Sequence, residues 1–81
     1  MSNLKILEQG TSASGLTKKF VVQNTGGVVL GYISWQAHWR RYWFTPMFAM
    51  GFDAGCLFEI GDFCIDETEK HWTALKAREE L

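Results

Sequence analysis

The chain has 81 residues, of which 47% are hydrophobic and 15% aromatic, with a formal net charge of -1. We interpret residues 1–81 as a single small domain, because a chain of this length has room for one hydrophobic core. Its apolar runs fall short of the roughly 18 residues of a membrane span, and the N-terminus has no hydrophobic segment behind a basic start. We therefore expect a cytoplasmic protein that has no membrane partner.

Charge is divided unevenly along the chain. Residues 1–45 carry five Lys and Arg against one Glu, a net charge of +4. Residues 46–81 carry three basic against eight acidic residues, a net charge of -5. A basic first half is compatible with nucleic acid binding, but so few cations beside an acidic second half form a weak electrostatic footprint.

The first and last predicted strands are short. Residues 3–9 place Leu4 and Ile6 on one face and predict a strand, which a loop over residues 10–15 follows. Within the aromatic sequence that begins at residue 38, the run "RRYWF", residues 40–44, predicts a further strand. Pro46 ends this strand, because proline has no N–H to donate to a neighbouring strand.

Between them lies a hairpin. Two β-rich runs, residues 18–24 and 28–35, flank the sequence "TGG". Gly26 and Gly27 accept the positive φ angles that tight hairpin turns require. Together these runs predict an antiparallel meander of three or four strands.

The hydrophobic period changes to that of a helix after Pro46. Asp53 is a suitable N-cap, so we predict a helix from about residue 54 to about residue 78. A stripe about 120° wide is expected to cover the sheet. It contains Cys56, Leu57, Ile60, Phe63, Cys64, His71, Ala74 and Leu75, with Glu67 inside it. The predicted fold class is α+β, with one long C-terminal helix packed on one face of the meander.

A second apolar row lies outside this stripe. Phe58, Ile65 and Trp72 are spaced by seven residues, with Gly61 near them. In one interpretation the first strand and the loop "TPMFAMGF" wrap around these side chains. In the other the row is an interface with a second helix across a two-fold axis, where Gly61 allows close approach.

The sequence "HWRRYWF", residues 38–44, raises the question of which face each ring occupies. If the loop between Trp35 and the last strand has an even number of residues, Trp35 lies opposite Arg40. Ile33, Trp35, Tyr42 and Phe44 then share one face, and Tyr32, Trp39, Arg41 and Trp43 share the other. A loop of odd length instead buries Arg41 among tryptophans. We favour the even loop, because it leaves Arg40 at the end of the sheet, where it reaches water.

A single helix covers only one face of such a sheet, so the other face is a candidate binding surface. Its candidate residues are Tyr32, Trp39, Arg40, Arg41 and Trp43. Trp, Tyr and Arg dominate binding hot spots, and exposed rings on a sheet also stack nucleic acid bases. Alternatively, the arginines stack flat on the rings and shield a solvated face.

Catalytic and metal sites have little support in the sequence. Cys56 and Cys64 are expected to be reduced packing residues. Cys64, Glu67 and His71 have a spacing that could ligate a metal, but a core stripe with a satisfied histidine is the commoner arrangement. We therefore expect no cofactor, no metal and no enzymatic activity.

Residues 31–63 resemble a sequence pattern found in a group of small proteins. "GYISWQAHWRRYWFTP" followed by "FDAGCLFEIGDF" resembles a group of small bacterial and phage-type proteins without an assigned activity. Their pattern is G-x-I-x-W, then W-R-x-Y-x-F-x-P, then C-L-x-x-I-x-x-F. The resemblance implies a mobile-element or prophage setting and no particular site.

The sequence thus predicts a non-catalytic module of a mobile element that binds a protein partner or forms a homodimer. Its contacts are expected through the aromatic and arginine-bearing sheet face or through the second helix row. The alternative is a nucleic-acid-binding module that uses the sheet face.

Overall fold

The computed structural model describes residues 4–13 and 15–79. Four strands form one antiparallel sheet in the order of the chain, and a helix follows. The strands are β1 (Leu4–Thr11), β2 (Lys18–Asn24), β3 (Val29–Gln36) and β4 (Arg41–Pro46), and the helix is α1 (Ala54–Glu79). The predicted α+β fold is confirmed. Within the described ranges, none of the helical sequence has the length and apolarity of a membrane span.

The β2–β3 hairpin forms at the predicted turn, but of its two glycines Gly27 alone has a positive φ. Gly27 has a φ of 85°, which a residue with a side chain rarely adopts. The Asn24 Oδ1 atom accepts hydrogen bonds from the backbone N–H groups of Gly26 (2.9 Å) and Val28 (3.0 Å). The turn is therefore stabilised by both its glycine and its asparagine.

The pairing of β3 with β4 sets the faces of the aromatic residues. Ile33 lies opposite Phe44 and Trp35 opposite Tyr42, so these side chains share one face as predicted. The predicted pairing of Trp35 with Arg40 is wrong by two residues. Arg40 lies in the turn that precedes β4, with a φ of 57°. A shift of two residues preserves the faces, because side chains alternate with a period of two.

The core lies between one sheet face and α1. Its buried hydrophobic residues are Leu4, Phe20, Val22, Ile33, Tyr42 and Ile60. The rings of Phe20 and Phe63 meet edge to face, with centroids 4.8 Å apart. Gly31 lets Phe44 pack against the backbone, since a Cβ atom there would lie 2.6 Å from the Phe44 ring and against the Thr45 carbonyl oxygen. Such overlap would force the structure to shift.

The helix begins where Asp53 caps it. The Cys56 N–H donates to the Asp53 Oδ1 atom at 2.8 Å. On the predicted stripe Ile60 and Glu67 are buried, and the Glu67 carboxylate lies 3.3 Å from the Lys70 Nζ atom. The stripe is wrong at Leu57, of which 52% is exposed.

Ala74, also placed on the stripe, is exposed as well. A straight helix 26 residues long spans roughly 39 Å, more than strands of six to eight residues reach. The C-terminal end of the helix therefore extends past the sheet, whereas Leu57 lies at the edge of the stripe beside Cys56, which packs against the core.

Candidate interaction surfaces

The second row of the helix lies open to solvent. We call Phe58, Gly61, Ile65 and Trp72 the helix seam; Phe58 is 73% exposed, Ile65 58% and Trp72 43%. The interpretation in which the first strand and the 45–52 loop wrap this row is wrong. Residues 45–51 of that loop are themselves exposed, Phe48 to 96%, and Phe52 packs against Phe44 instead of the row. A Cβ atom on Gly61 would have no contact within 4 Å outside the neighbouring helix backbone.

Trp72 is held at one side by the sheet. The Trp35 ring lies 5.9 Å from the Trp72 ring and 4.0 Å from the His71 ring, measured between centroids. His71 also makes a hydrogen-bond contact of 3.2 Å between its Nδ1 atom and the Leu16 carbonyl oxygen. These contacts fix one face of Trp72, so that its exposed part is presented at a defined position.

A groove runs between the edge of β4 and the helix seam, with a volume of about 270 Å³. The residues around it are Arg40, Arg41, Tyr42, Cys64, Ile65, Thr68, Glu69 and Trp72. Thr68 closes part of the strand edge: its hydroxyl accepts from the Tyr42 N–H at 3.0 Å and donates to the Cys64 carbonyl at 2.7 Å. The seam therefore continues into a groove with guanidinium groups on its opposite wall.

The second surface is the sheet face turned away from α1, which we call the outer face. Strand alternation places these side chains on it: Lys5, Leu7, Lys19, Val21, Tyr32, Ser34, Arg41 and Trp43. Tyr32 and Trp43 are half-buried. The Lys19 Nζ atom lies 5.2 Å from the Tyr32 ring centroid. Trp39, which is 58% exposed, meets Trp43 edge to face with centroids 5.5 Å apart.

The predicted binding residues do not all come together. Tyr32 and Trp43 lie on the outer face, and Trp39 extends that face from the turn. Arg41 begins β4, and its Nε atom donates to the Trp39 carbonyl at 3.2 Å. Arg40 and Arg41 both line the groove beside the helix seam. The two arginines are thus placed where the outer face and the groove adjoin.

Charge differs between the two sides of the sheet. Glu8 is the one carboxylate in the four described strands, and it pairs across from Phe20 on the core side. There its carboxylate forms an ion pair with Lys18, with 3.3 Å between the Oε1 and Nζ atoms. The hydrogen bond within this pair is the main cause that raises the pKa of Lys18 above its ordinary value of 10.5. The outer-face strand positions therefore carry Lys5, Lys19 and Arg41 and no acidic side chain.

Cys56 and Cys64 are free thiols, and both pack against the hydrophobic core. Burial raises the pKa of Cys64 to about 11, and a hydrogen bond with Asp53 raises that of Cys56. Both shifts disfavour the thiolate that nucleophilic chemistry needs. Over residues 4–13 and 15–79, no three His, Cys, Asp or Glu side chains are arranged to hold a metal ion.

Sequence reasoning did not find the Thr68 contact, the groove or the stacking of Trp35 on His71. Each joins residues more than twenty positions apart, for which the sequence carries no local signal. Comparison with protein-family models, with curated proteins and with solved structures finds no match to this chain. The chemistry of the two surfaces is therefore the basis for any functional assignment.

Proposed function

We propose that this protein is a non-catalytic, self-associating module in which the helix seams of two copies pack against each other. The observation that carries the proposal is the exposed row of Phe58, Ile65 and Trp72 at seven-residue spacing. Large exposed apolar side chains along one line of a helix are a feature of interaction sites on soluble proteins. The resemblance of residues 31–63 would place such a module in a mobile element or prophage.

An antiparallel pairing fits the order of large and small residues along the seam. With a two-fold axis between Ile65 and Thr68, each Trp72 faces Gly61 of the second copy. Gly61 offers open space at this point, and the two tryptophans fill it symmetrically. Small residues at a crossing also let two helix axes approach closely, which increases the contact of the flanking Phe58 and Ile65 side chains.

Electrostatics support the same orientation. The first half of α1 carries Glu59, Asp62 and Asp66, whereas Lys76 and Arg78 lie in its last turn. In this register Lys76 lies opposite Leu57, two residues from Glu59. Asp66 of each copy instead lies at the axis. The electrostatic support therefore comes mainly from the opposed helix dipoles. Burial of apolar surface, worth about 25 cal/mol per Å², supplies the main driving force.

Sedimentation equilibrium across a concentration series tests the proposal. The wild-type protein should sediment as a dimer at high concentration, and Trp72→Ala should weaken the dimer by roughly 2 kcal/mol or more. Trp43→Ala removes the same side chain from the outer face and should leave the dimer unchanged. A wild-type protein that stays monomeric at high concentration contradicts the proposal.

The Gly61 contact allows a sharper test. Gly61→Ala should stabilise the monomer, since alanine gains up to about 1 kcal/mol over glycine in a helix. The same change should weaken association, because the new methyl group occupies the space assigned to Trp72 of the second copy. Gly55→Ala is the matched control, placed in the first turn of α1 outside the proposed Gly61–Trp72 contact, where a Cβ atom would lie at an ordinary 3.6 Å from the Asp53 Oδ1 atom. If Gly61→Ala and Gly55→Ala associate equally well, the proposed pairing is wrong.

A further inference from the structure

We propose that the outer face binds single-stranded nucleic acid by stacking bases on Tyr32 and Trp43 while its cations contact the phosphates. This surface lies on the other side of the sheet from the helix seam and does not depend on self-association.

The ring geometry suits successive bases. Tyr32 lies opposite Thr45 and Trp43 opposite Ser34 on the paired strands, which makes the two rings diagonal neighbours. Diagonal neighbours on a sheet face are about 7–8 Å apart. This separation is close to the reach of one nucleotide in an extended strand, and an aromatic platform accepts any base because every base has a π face. The exposed Trp39 ring beside Trp43 extends the row at the sheet end.

The charge of the face matches a polyanion. Lys5 and Lys19 occupy outer-face positions on β1 and β2, and Arg41 lies on β4 where this face adjoins the groove. Glu8, the one acidic residue of the described strands, points to the other side. The many carboxylates of the chain lie on α1, across the sheet. A phosphate backbone crossing the strands therefore meets cations without passing an acidic side chain.

Single strands fit this face better than duplex DNA does. Four strands spaced about 4.8 Å apart make a surface roughly 14 Å wide between the outer backbones alone. The major groove, about 12 Å wide, admits a helix or a two-stranded ribbon. In a duplex the bases are also already stacked on one another, so Tyr32 and Trp43 would have no free base face to contact.

Fluorescence anisotropy of the full chain with a short labelled oligothymidylate at low ionic strength tests this inference. We expect binding whose log K falls with log salt by about 0.7 per phosphate contacted. Tyr32→Ala and Trp43→Ala should each weaken binding about tenfold or more, whereas Trp43→Phe should retain most of the affinity because it keeps a stacking ring. Circular dichroism of each variant establishes that the fold is intact.

Variants that each remove one positive charge distinguish binding at the outer face from non-specific attraction between the oligonucleotide and any cation of the protein. Lys19→Ala should weaken binding and make the salt slope shallower by about 0.7. Lys76→Ala removes the same charge from α1 and should change neither quantity appreciably. The inference is overturned if oligothymidylate does not bind at low salt, or if a duplex binds more tightly. It is equally overturned if heparin, a polyanion without bases, competes at equal charge while the ring variants bind like the wild type.

Discussion

Asp53 determines where α1 begins, because its side chain caps the helix through one hydrogen bond. Its carboxylate accepts from the Cys56 N–H, one of the helix N–H groups that lack a partner within the helix. That hydrogen bond, followed by one with the Cys56 thiol, lowers the pKa of Asp53 below 3.8. The ionised form is therefore the better cap.

The cap predicts a pH-dependent loss of stability. Asp53→Ala should lower the thermal midpoint by roughly 4–8 °C at neutral pH. Because the pKa of Asp53 is lowered in the folded state, its contribution is fully present above pH 3.8 and is lost as the pH falls through the folded value. The difference between wild type and Asp53→Ala should consequently shrink in acid. Asp53→Asn keeps a capping oxygen and serves as the control.

Calorimetric melting curves at a series of pH values measure these differences. Equal midpoints for wild type and Asp53→Ala at neutral pH would show that the helix start does not depend on this cap.

At the scale of elements, β4 and α1 are joined by Thr68. The Tyr42 N–H points out of the edge of the sheet and donates to the Thr68 hydroxyl, so the helix supplies a partner that a further strand would otherwise provide. Edge strands in natural proteins are commonly protected in such ways. The same contact lies beside the groove that Ile65 and Trp72 border.

Thr68→Val tests this junction with little change in shape. Valine removes the hydroxyl and leaves the partly buried Tyr42 N–H without its acceptor, which should destabilise the fold by about 1–3 kcal/mol. Hydrogen exchange of the Tyr42 amide should accelerate more than that of other β4 amides. Thr68→Ser keeps the hydroxyl and should exchange nearly like the wild type. Equal protection of Tyr42 in the valine variant would show that another group satisfies its N–H.

At the scale of the whole molecule, local features of the sequence predicted the fold well. The glycines of the β2–β3 turn, the Asp53 cap and the alternation in β3 and β4 each act within a few residues, so their consequences can be derived directly. The predicted faces of the β3 and β4 side chains are correct although the predicted partner of Trp35 was wrong by two residues. A side chain changes face only when the register shifts by an odd number of residues.

The surfaces were less predictable because they depend on where α1 lies. A helical stripe alone could not show that Leu57 is exposed, or that Arg40 lines the groove while Trp39 meets Trp43. The close approach of Phe44 to Gly31 likewise depends on packing between strands. Each of these features follows from the docking of distant elements, which composition and periodicity do not determine.

The two proposed surfaces should act independently. Trp43 contacts Trp39 on the outer face, whereas Trp72 contacts Trp35 and His71 between the sheet and the helix, so the two tryptophans share none of these ring contacts. Substitutions without shared partners usually have additive effects, within about 0.5 kcal/mol. We therefore expect Trp43→Ala to weaken nucleic acid binding alone and Trp72→Ala to weaken self-association alone.

The double variant completes the cycle. Its dimer dissociation constant, from sedimentation, should equal that of Trp72→Ala, and its affinity for a short oligothymidylate, from anisotropy, should equal that of Trp43→Ala. A short strand occupies one outer face, so loss of the dimer does not remove any of its contacts. If Trp72→Ala by itself reduced this affinity tenfold, the binding species would be the dimer, and the outer face of one copy would be only part of the site.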